Sequence, residues 1–284
     1  MNALRLVGCL LVGWMASARP LELLDERLTE DDLEVVGGFT GGRTNGFIAR
    51  AQLLTLPMVT VTNQHDLELQ RRLVYTGILL DDLFEQLPLA PGMDVVTAVC
   101  QDKYAAVYPS DYRQQHQPLL VLKLDGKDSA DWPTAPSGAR MSPFYISYGK
   151  FVADSKRTAA GVEEEARIPF AVVTLRFGRF ADTLGQLQVA KAADAVRDGE
   201  AVALGKCLAC HFSGSTGGRL SGKPWLVLAA WAKAEPDLFQ KYVRNPRQVD
   251  PTSRMPGFPN FQTPALSSLQ KYFSAYLVQT VNEP

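Results

Sequence analysis

Hydrophobic positions in the first two thirds of the chain fall in short runs separated by turn residues. Residues 49–56 carry helical spacing and stop at Pro57; residues 58–62 alternate as a strand, and residues 72–76 repeat that pattern. Residues 78–87 form an amphipathic helix ended by Pro88. Residues 94–100, 104–108 and 119–124 are strand-like and rich in Val, Tyr and Leu, with Asp125-Gly126 marking a turn. Residues 144–148 and 170–177 supply two more strands. The order does not alternate as a dinucleotide-binding fold does, so it predicts an α+β domain over residues 48–182 with a mostly non-parallel sheet.

From residue 183 the spacing becomes helical and predicts an all-α domain over residues 183–284. Its first helix spans residues 192–204, and Val196, Ala203 and Leu204 are spaced to meet Leu269, Phe273 and Tyr276 of a closing helix over residues 266–277.

The first 47 residues read differently. Residues 1–18 have Arg5, an apolar core too short to span a bilayer, and Ala16-Ser17-Ala18 as a cleavage site, which together predict an export signal and a periplasmic location. Leu6-Val7-Gly8-Cys9 matches a lipoprotein box but sits at the start of the apolar core, where such a box should end it. Residues 19–47 are expected to be a polar leader. Residues 28–33 start a short helix capped by Thr29, and Gly37, Gly38, Gly41, Gly42 and Gly46 make a turn-rich lead-in. No later stretch predicts a transmembrane helix.

The strongest chemical signal is Cys207-Leu208-Ala209-Cys210-His211. Two cysteines two residues apart followed by histidine form the c-type haem attachment pattern. Both thiols reach one haem edge as thioethers, and the adjacent imidazole takes the proximal side of the iron. Met255, the one methionine after His211, lies in a proline-rich loop and is the expected second axial ligand. Pro224, Trp225 and Tyr242 are candidate haem-packing residues, and Trp225 or Arg254 are candidates to hydrogen-bond a propionate. Core packing is an equal reading for Trp225 and Tyr242.

The C-terminal third resembles class I cytochrome c domains. The resemblance is carried by Asp198-Gly199-Glu200 leading into the cysteine motif, Asn245-Pro246 followed by Met255-Pro256, and the closing helix. Residues 48–178 resemble the molybdopterin-binding domain of sulfite-oxidase-type enzymes, a mixed-sheet fold. The matching stretches are residues 53–57 and 75–83, Asp102-Lys103-Tyr104, and residues 120–127. That family binds molybdenum through a cysteine on the strand after the Leu-Pro segment. Here Val59-Thr60-Val61-Thr62-Asn63-Gln64-His65 contains none, and Ser142-Pro143 stands where Gly-Pro is expected. His65, Arg71 and Arg72 are the nearest candidates for a pterin-phosphate cradle, and a solvated edge strand explains them more simply.

The expected cofactor is therefore one covalent haem c, with molybdopterin not expected. Cys100 reads as a small buried hydrophobe, His116 as part of an exposed loop, and Trp132 as a loop aromatic or a surface anchor. Residues 154–168, with Glu163-Glu164-Glu165, read as a solvated insertion or loop and a candidate docking surface.

Overall charge is −1. It divides into +4 over residues 183–284 and −6 over residues 19–182. Neither part is basic enough for nucleic acid. The balance suits docking of the two parts on each other, or steering towards a redox partner protein. Three readings stay open: an exported one-electron carrier with a cofactor-free docking module, a molybdenum oxidoreductase feeding its own haem, and a haem-tethered ligand-binding sensor or assembly factor. In the first, the chain is an electron carrier or redox-enzyme subunit more than a stand-alone enzyme.

Overall fold

The computed structural model describes residues 21–153 and 160–282. The expected export signal, residues 1–18, lies outside them, as does part of the polar stretch at 154–168. Two sheets and a set of helices account for most of the described chain.

A five-stranded sheet contains β1 (Leu33–Val36), β2 (Asn45–Ile48), β5 (Val95–Cys100), β6 (Ala105–Pro109) and β9 (Val172–Gly178), in the order β2-β1-β9-β5-β6. The β1–β9 pair is parallel and the remaining pairs are antiparallel, which makes the sheet mixed. A four-stranded antiparallel sheet is ordered β3 (Val59–Asn63), β4 (Leu73–Leu79), β7 (Leu119–Leu124), β8 (Tyr145–Ser147). Short helices α1 (Arg50–Leu53), α2 (Leu80–Gln86) and α3 (Ser110–His116) connect these strands. The first part of the chain is thus an α+β structure.

The sheet accounts for the long apolar run in β5. Val96, Ala98 and Cys100 point into a core shared with Ala106, Tyr108, Leu175 and Phe177. Val95 and Val107 point the other way, into the core formed with the helices. A strand buried on both faces has no polar alternation to show.

Two expectations are corrected. The glycine-rich lead-in is not simply a loop: β1 and β2 lie within it and belong to the five-stranded sheet, with Leu33, Val35 and Ile48 fully buried. Residues 28–33 do not form a helix. Asp32 instead closes a turn, accepting from the amides of Leu28 (2.8 Å) and Thr29 (2.9 Å) and from the Thr29 hydroxyl (2.8 Å). A short polar side chain that satisfies its own backbone competes with helix formation.

The second part holds α4 (Asp194–Val202), α5 (Trp225–Ala234), α6 (Pro236–Arg244), α7 (Pro246–Val249) and α8 (Thr263–Asn282). It is not purely helical, since β10 (Phe212–Ser213) and β11 (Thr216–Gly217) form a small hairpin. Pro236 and Pro246 occupy first helical turns, where the missing N–H costs nothing. Helices α4 and α8 cross at Gly199, where a Cβ would overlap the Ser268 carbonyl oxygen and lie 2.8 Å from Tyr272 Cβ. Only glycine allows this approach.

Candidate functional site

The Cys-x-x-Cys-His motif follows directly from α4. A π turn over Ala203–Cys207 continues the helix, and the Leu208 amide donates to the Ala203 carbonyl at 3.1 Å. The wider turn carries Cys207 out of the helical ladder, a distortion common at functional sites. The amides of Cys210 (3.1 Å) and His211 (3.0 Å) both donate to the Cys207 carbonyl, which coils the motif into one tight turn.

Cys207, Cys210 and His211 line a cavity of about 430 Å³ together with Met255 from the loop between α7 and α8. That size lies within the ~300–1,000 Å³ typical of ligand pockets. Its apolar wall includes Leu228, Trp231, Phe239, Val243 and Phe273. The methionine loop is tied down by Ser253. Its Oγ lies 2.8 Å from the Tyr242 hydroxyl and accepts from the Met255 amide at 3.3 Å.

The donor chemistry fits a haem. His211 Nδ1 lies 3.0 Å from the Lys223 carbonyl and 2.9 Å from Ser221 Oγ. Donation from Nδ1 to the carbonyl leaves Nε2 as the nitrogen with a free lone pair. Burial pushes His211 below its usual range, helped by the Lys223 charge and opposed by the carbonyl hydrogen bond, so the ring is neutral at pH 7. Burial pushes the Cys207 thiol up to about 12, with Cys210 adding to the effect and Lys206 opposing it. Cys210 is also raised, by burial and then by Asp102. A neutral imidazole, a thioether and two thiols therefore share one apolar cavity.

The sheet reaches this turn directly. Lys103 and Ala105 flank Tyr104 at the start of edge strand β6. The Ala105 amide donates to Ala209, inside the motif, at 2.9 Å, and the Arg219 amide donates to the Lys103 carbonyl at 2.8 Å. The side chain of Lys206, just before Cys207, is covered and pairs with Glu165 at 2.6 Å.

Several sequence expectations change here. Trp225 does not line the cavity; it is fully buried and donates from Nε1 to the Tyr272 hydroxyl at 3.1 Å, so of its two readings the structure gives core packing. Arg254 and Tyr242 do line the cavity. His116 is not in an exposed loop but ends α3, buried, 3.2 Å from Glu164 and stacked on Phe151. The Glu164 side chain is correspondingly covered, so the acidic run is not wholly solvated. Cys100 is buried in the first core, and burial followed by Asp102 pushes its thiol up. His65, Arg71 and Arg72 are exposed at the edge of the four-stranded sheet, where Arg71 pairs with Asp125 at 2.8 Å. Trp132 donates to the Lys127 carbonyl at 3.1 Å within its own loop.

Ser221 and Lys223, which orient His211, and the aromatic pair Trp231 and Phe239 were not expected from the sequence. No motif spacing announces a carbonyl partner. The aromatic pair carried only a generic core signal.

No family model matches the chain, and no curated protein matches it. Among solved structures, the sulfane dehydrogenase SoxCD from Paracoccus pantotrophus superposes with a TM-score of 0.34 at 14% identity. The superposition covers 54% of this chain and 39% of that one.

Proposed function

We propose that the chain is an exported c-type cytochrome that transfers single electrons through one haem. Cys207 and Cys210 would hold the haem covalently, and His211 and Met255 would ligate its iron. The α+β part docks on the attachment turn without a pterin of its own. One observation carries the reading: three residues of the CxxCH turn and the distant Met255 line the same apolar cavity.

A bound haem supplies a reversible one-electron iron couple. The chain's residues set the conditions for it. The Lys223 carbonyl and Ser221 hold the His211 ring and its tautomer. Met255 as a ligand favours the reduced state relative to a second histidine. The apolar wall of Leu228, Trp231, Phe239 and Phe273 lowers the local dielectric and disfavours the extra positive charge of the oxidised state. With His211 and Met255 both held at the iron, a substrate would have no open site on it. Such a haem would exchange electrons with a protein redox partner.

The test is to produce the full chain with a haem-attachment system and record its intact mass and visible spectrum. One covalent haem is expected, lost in the Cys207→Ser/Cys210→Ser double variant. Met255→Ala should keep the covalent haem but lose the far-red band of methionine–ferric haem and lower the potential. A colourless protein of unmodified mass, under conditions that mature other c-type cytochromes, overturns the reading.

A further inference from the structure

A second cleft, of about 240 Å³, lies where β5 and β9 meet the hairpin that follows the attachment turn. Its lining includes Thr97, Arg176, Arg179, Asp182, Thr183 and Thr216. It is smaller than the ~300 Å³ at which cofactor-sized pockets begin.

The cationic side of the cleft is anchored but not neutralised. Arg176 Nη1 donates to the Ser215 carbonyl at 2.7 Å, at the tip of the hairpin. From the other side Arg219 donates to the Gly214 carbonyl at 2.6 Å and stacks on Phe212 at 3.9 Å. Among the described residues, Arg176, Arg179 and Arg219 make no ion pair. Asp182 lines the cleft without pairing to them, and Glu34, the other nearby carboxylate, is engaged by the Thr174 hydroxyl at 2.5 Å. Burial and the Arg219 charge pull Arg176 below its usual range, with Glu34 opposing. The positive charge here is under-compensated.

A second feature is independent of charge. Thr97 is only 4% exposed and lines the cleft, and its hydroxyl makes no hydrogen bond among the described residues. A hydroxyl with no protein partner that opens onto the cleft is free to donate to a ligand there.

We propose that this cleft binds a small tetrahedral oxyanion of the sulfate or phosphate class. Arg176 and Arg179 supply the guanidinium donors that match oxyanion geometry, and Thr97 supplies a hydroxyl donor. The site stands apart from the haem reading, since none of these residues lines the haem cavity. It also gives a ligand a hold on the hairpin that begins one residue after His211.

The test is calorimetric titration of the full chain with sodium sulfate and, separately, sodium phosphate, against sodium chloride at matched ionic strength. One saturable site is expected for one or both oxyanions. Arg179→Gln, at an exposed position that should not disturb folding, should weaken binding by at least about tenfold, and Arg176→Gln by as much or more. Thr97→Val should weaken it by a smaller factor. Amide hydrogen exchange at residues 215–217 should slow when the anion is bound. Heats indistinguishable from chloride overturn the proposal, and so does binding unchanged in Arg179→Gln.

Discussion

The amide of Ala105 donates to the carbonyl of Ala209 at 2.9 Å. The first residue of edge strand β6 thereby bonds to the middle of the Cys-x-x-Cys-His turn. An edge strand normally offers unpaired groups to water or to another chain. Here the edge is used at its start by the Cys-x-x-Cys-His turn, and the Lys103 carbonyl takes the Arg219 amide at 2.8 Å beside it. Gly218 makes this fit possible, because a Cβ there would overlap the Ala209 carbonyl oxygen and lie 3.0 Å from the Ala105 nitrogen. Gly218→Ala should lower stability by about 1–3 kcal/mol, as overpacking does. It should also speed hydrogen exchange of the Ala105 amide. Gly205→Ala is the matched control, since a Cβ there meets nothing within 4 Å. Denaturant midpoints of the two variants check the contrast.

The Trp225–Tyr272–Leu187 chain yields a ranking. Trp225 Nε1 donates to the Tyr272 hydroxyl at 3.1 Å, and that hydroxyl donates to the Leu187 carbonyl at 2.7 Å. All three groups are buried. Trp225→Phe removes one donor and leaves the Tyr272 hydroxyl still bonded to Leu187, for a cost of about 1 kcal/mol. Tyr272→Phe leaves both the indole N–H and the carbonyl without that partner, each worth about 1–3 kcal/mol when unsatisfied. Trp225→Ala adds a cavity and should cost about 3–5 kcal/mol. Urea unfolding of the three variants should place Trp225→Phe mildest; a Tyr272→Phe variant milder than Trp225→Phe would contradict the network.

The sequence carried much of this, unevenly. Strands β3 to β9 fell where alternation or β-rich runs placed them, because each strand's own face pattern is a local property. β1 and β2 were missed, since short strands among glycines, such as Gly37 and Gly46, look like turns until a neighbouring strand supplies hydrogen bonds. His116 was misplaced for a related reason: its glutamine-rich surroundings suggest solvent, while its burial depends on Glu164 and Phe151, distant in the chain. At the candidate site, the structure brings Cys207, Cys210, His211 and Met255, which residue type and spacing single out, onto one cavity. Ser221 and Lys223 were not singled out, because a hydroxyl and a backbone carbonyl that orient a ring leave no mark in residue spacing. The bond from Ala105 to Ala209 was equally silent, being made between two backbones.

The α4–α8 crossing gives a second steric prediction. Gly199 lets the Ser268 backbone approach α4, with Tyr272 Cβ 2.8 Å from where a side chain would begin. Intrinsic helix propensity favours Gly199→Ala by about 1 kcal/mol. The overlap with the Ser268 carbonyl opposes it, and forcing helices apart in a packed core costs about 1–3 kcal/mol. The steric effect should win, so the variant should unfold at lower denaturant concentration. If it is stabilised instead, the helices are not in close contact at this point.

Glu200 should make stability depend on pH in an unusual direction for a carboxylate. Burial pushes its pKa above the ordinary 4.5, although the Val189 amide, the Gln188 side chain and the Arg197 charge partly offset this. In the unfolded chain the carboxyl ionises near its ordinary value. Between that value and the raised folded one, the folded state therefore holds a proton that the unfolded state has released. The folded state binds more protons in that window, so stability falls as pH rises through it. Glu200→Gln keeps an oxygen that can accept from the Val189 amide, 3.1 Å away in the parent, and removes the charge. The variant should match the parent near pH ~4 and become the more stable of the two as pH approaches ~7. Taking the difference between the two proteins removes the contributions of Asp32 and Asp125, whose hydrogen-bonded carboxyls are held below their ordinary values and act in a lower pH range. Chemical denaturation of both proteins across that range is the measurement, and a difference that does not grow with pH would show that Glu200 is not desolvated in the folded chain.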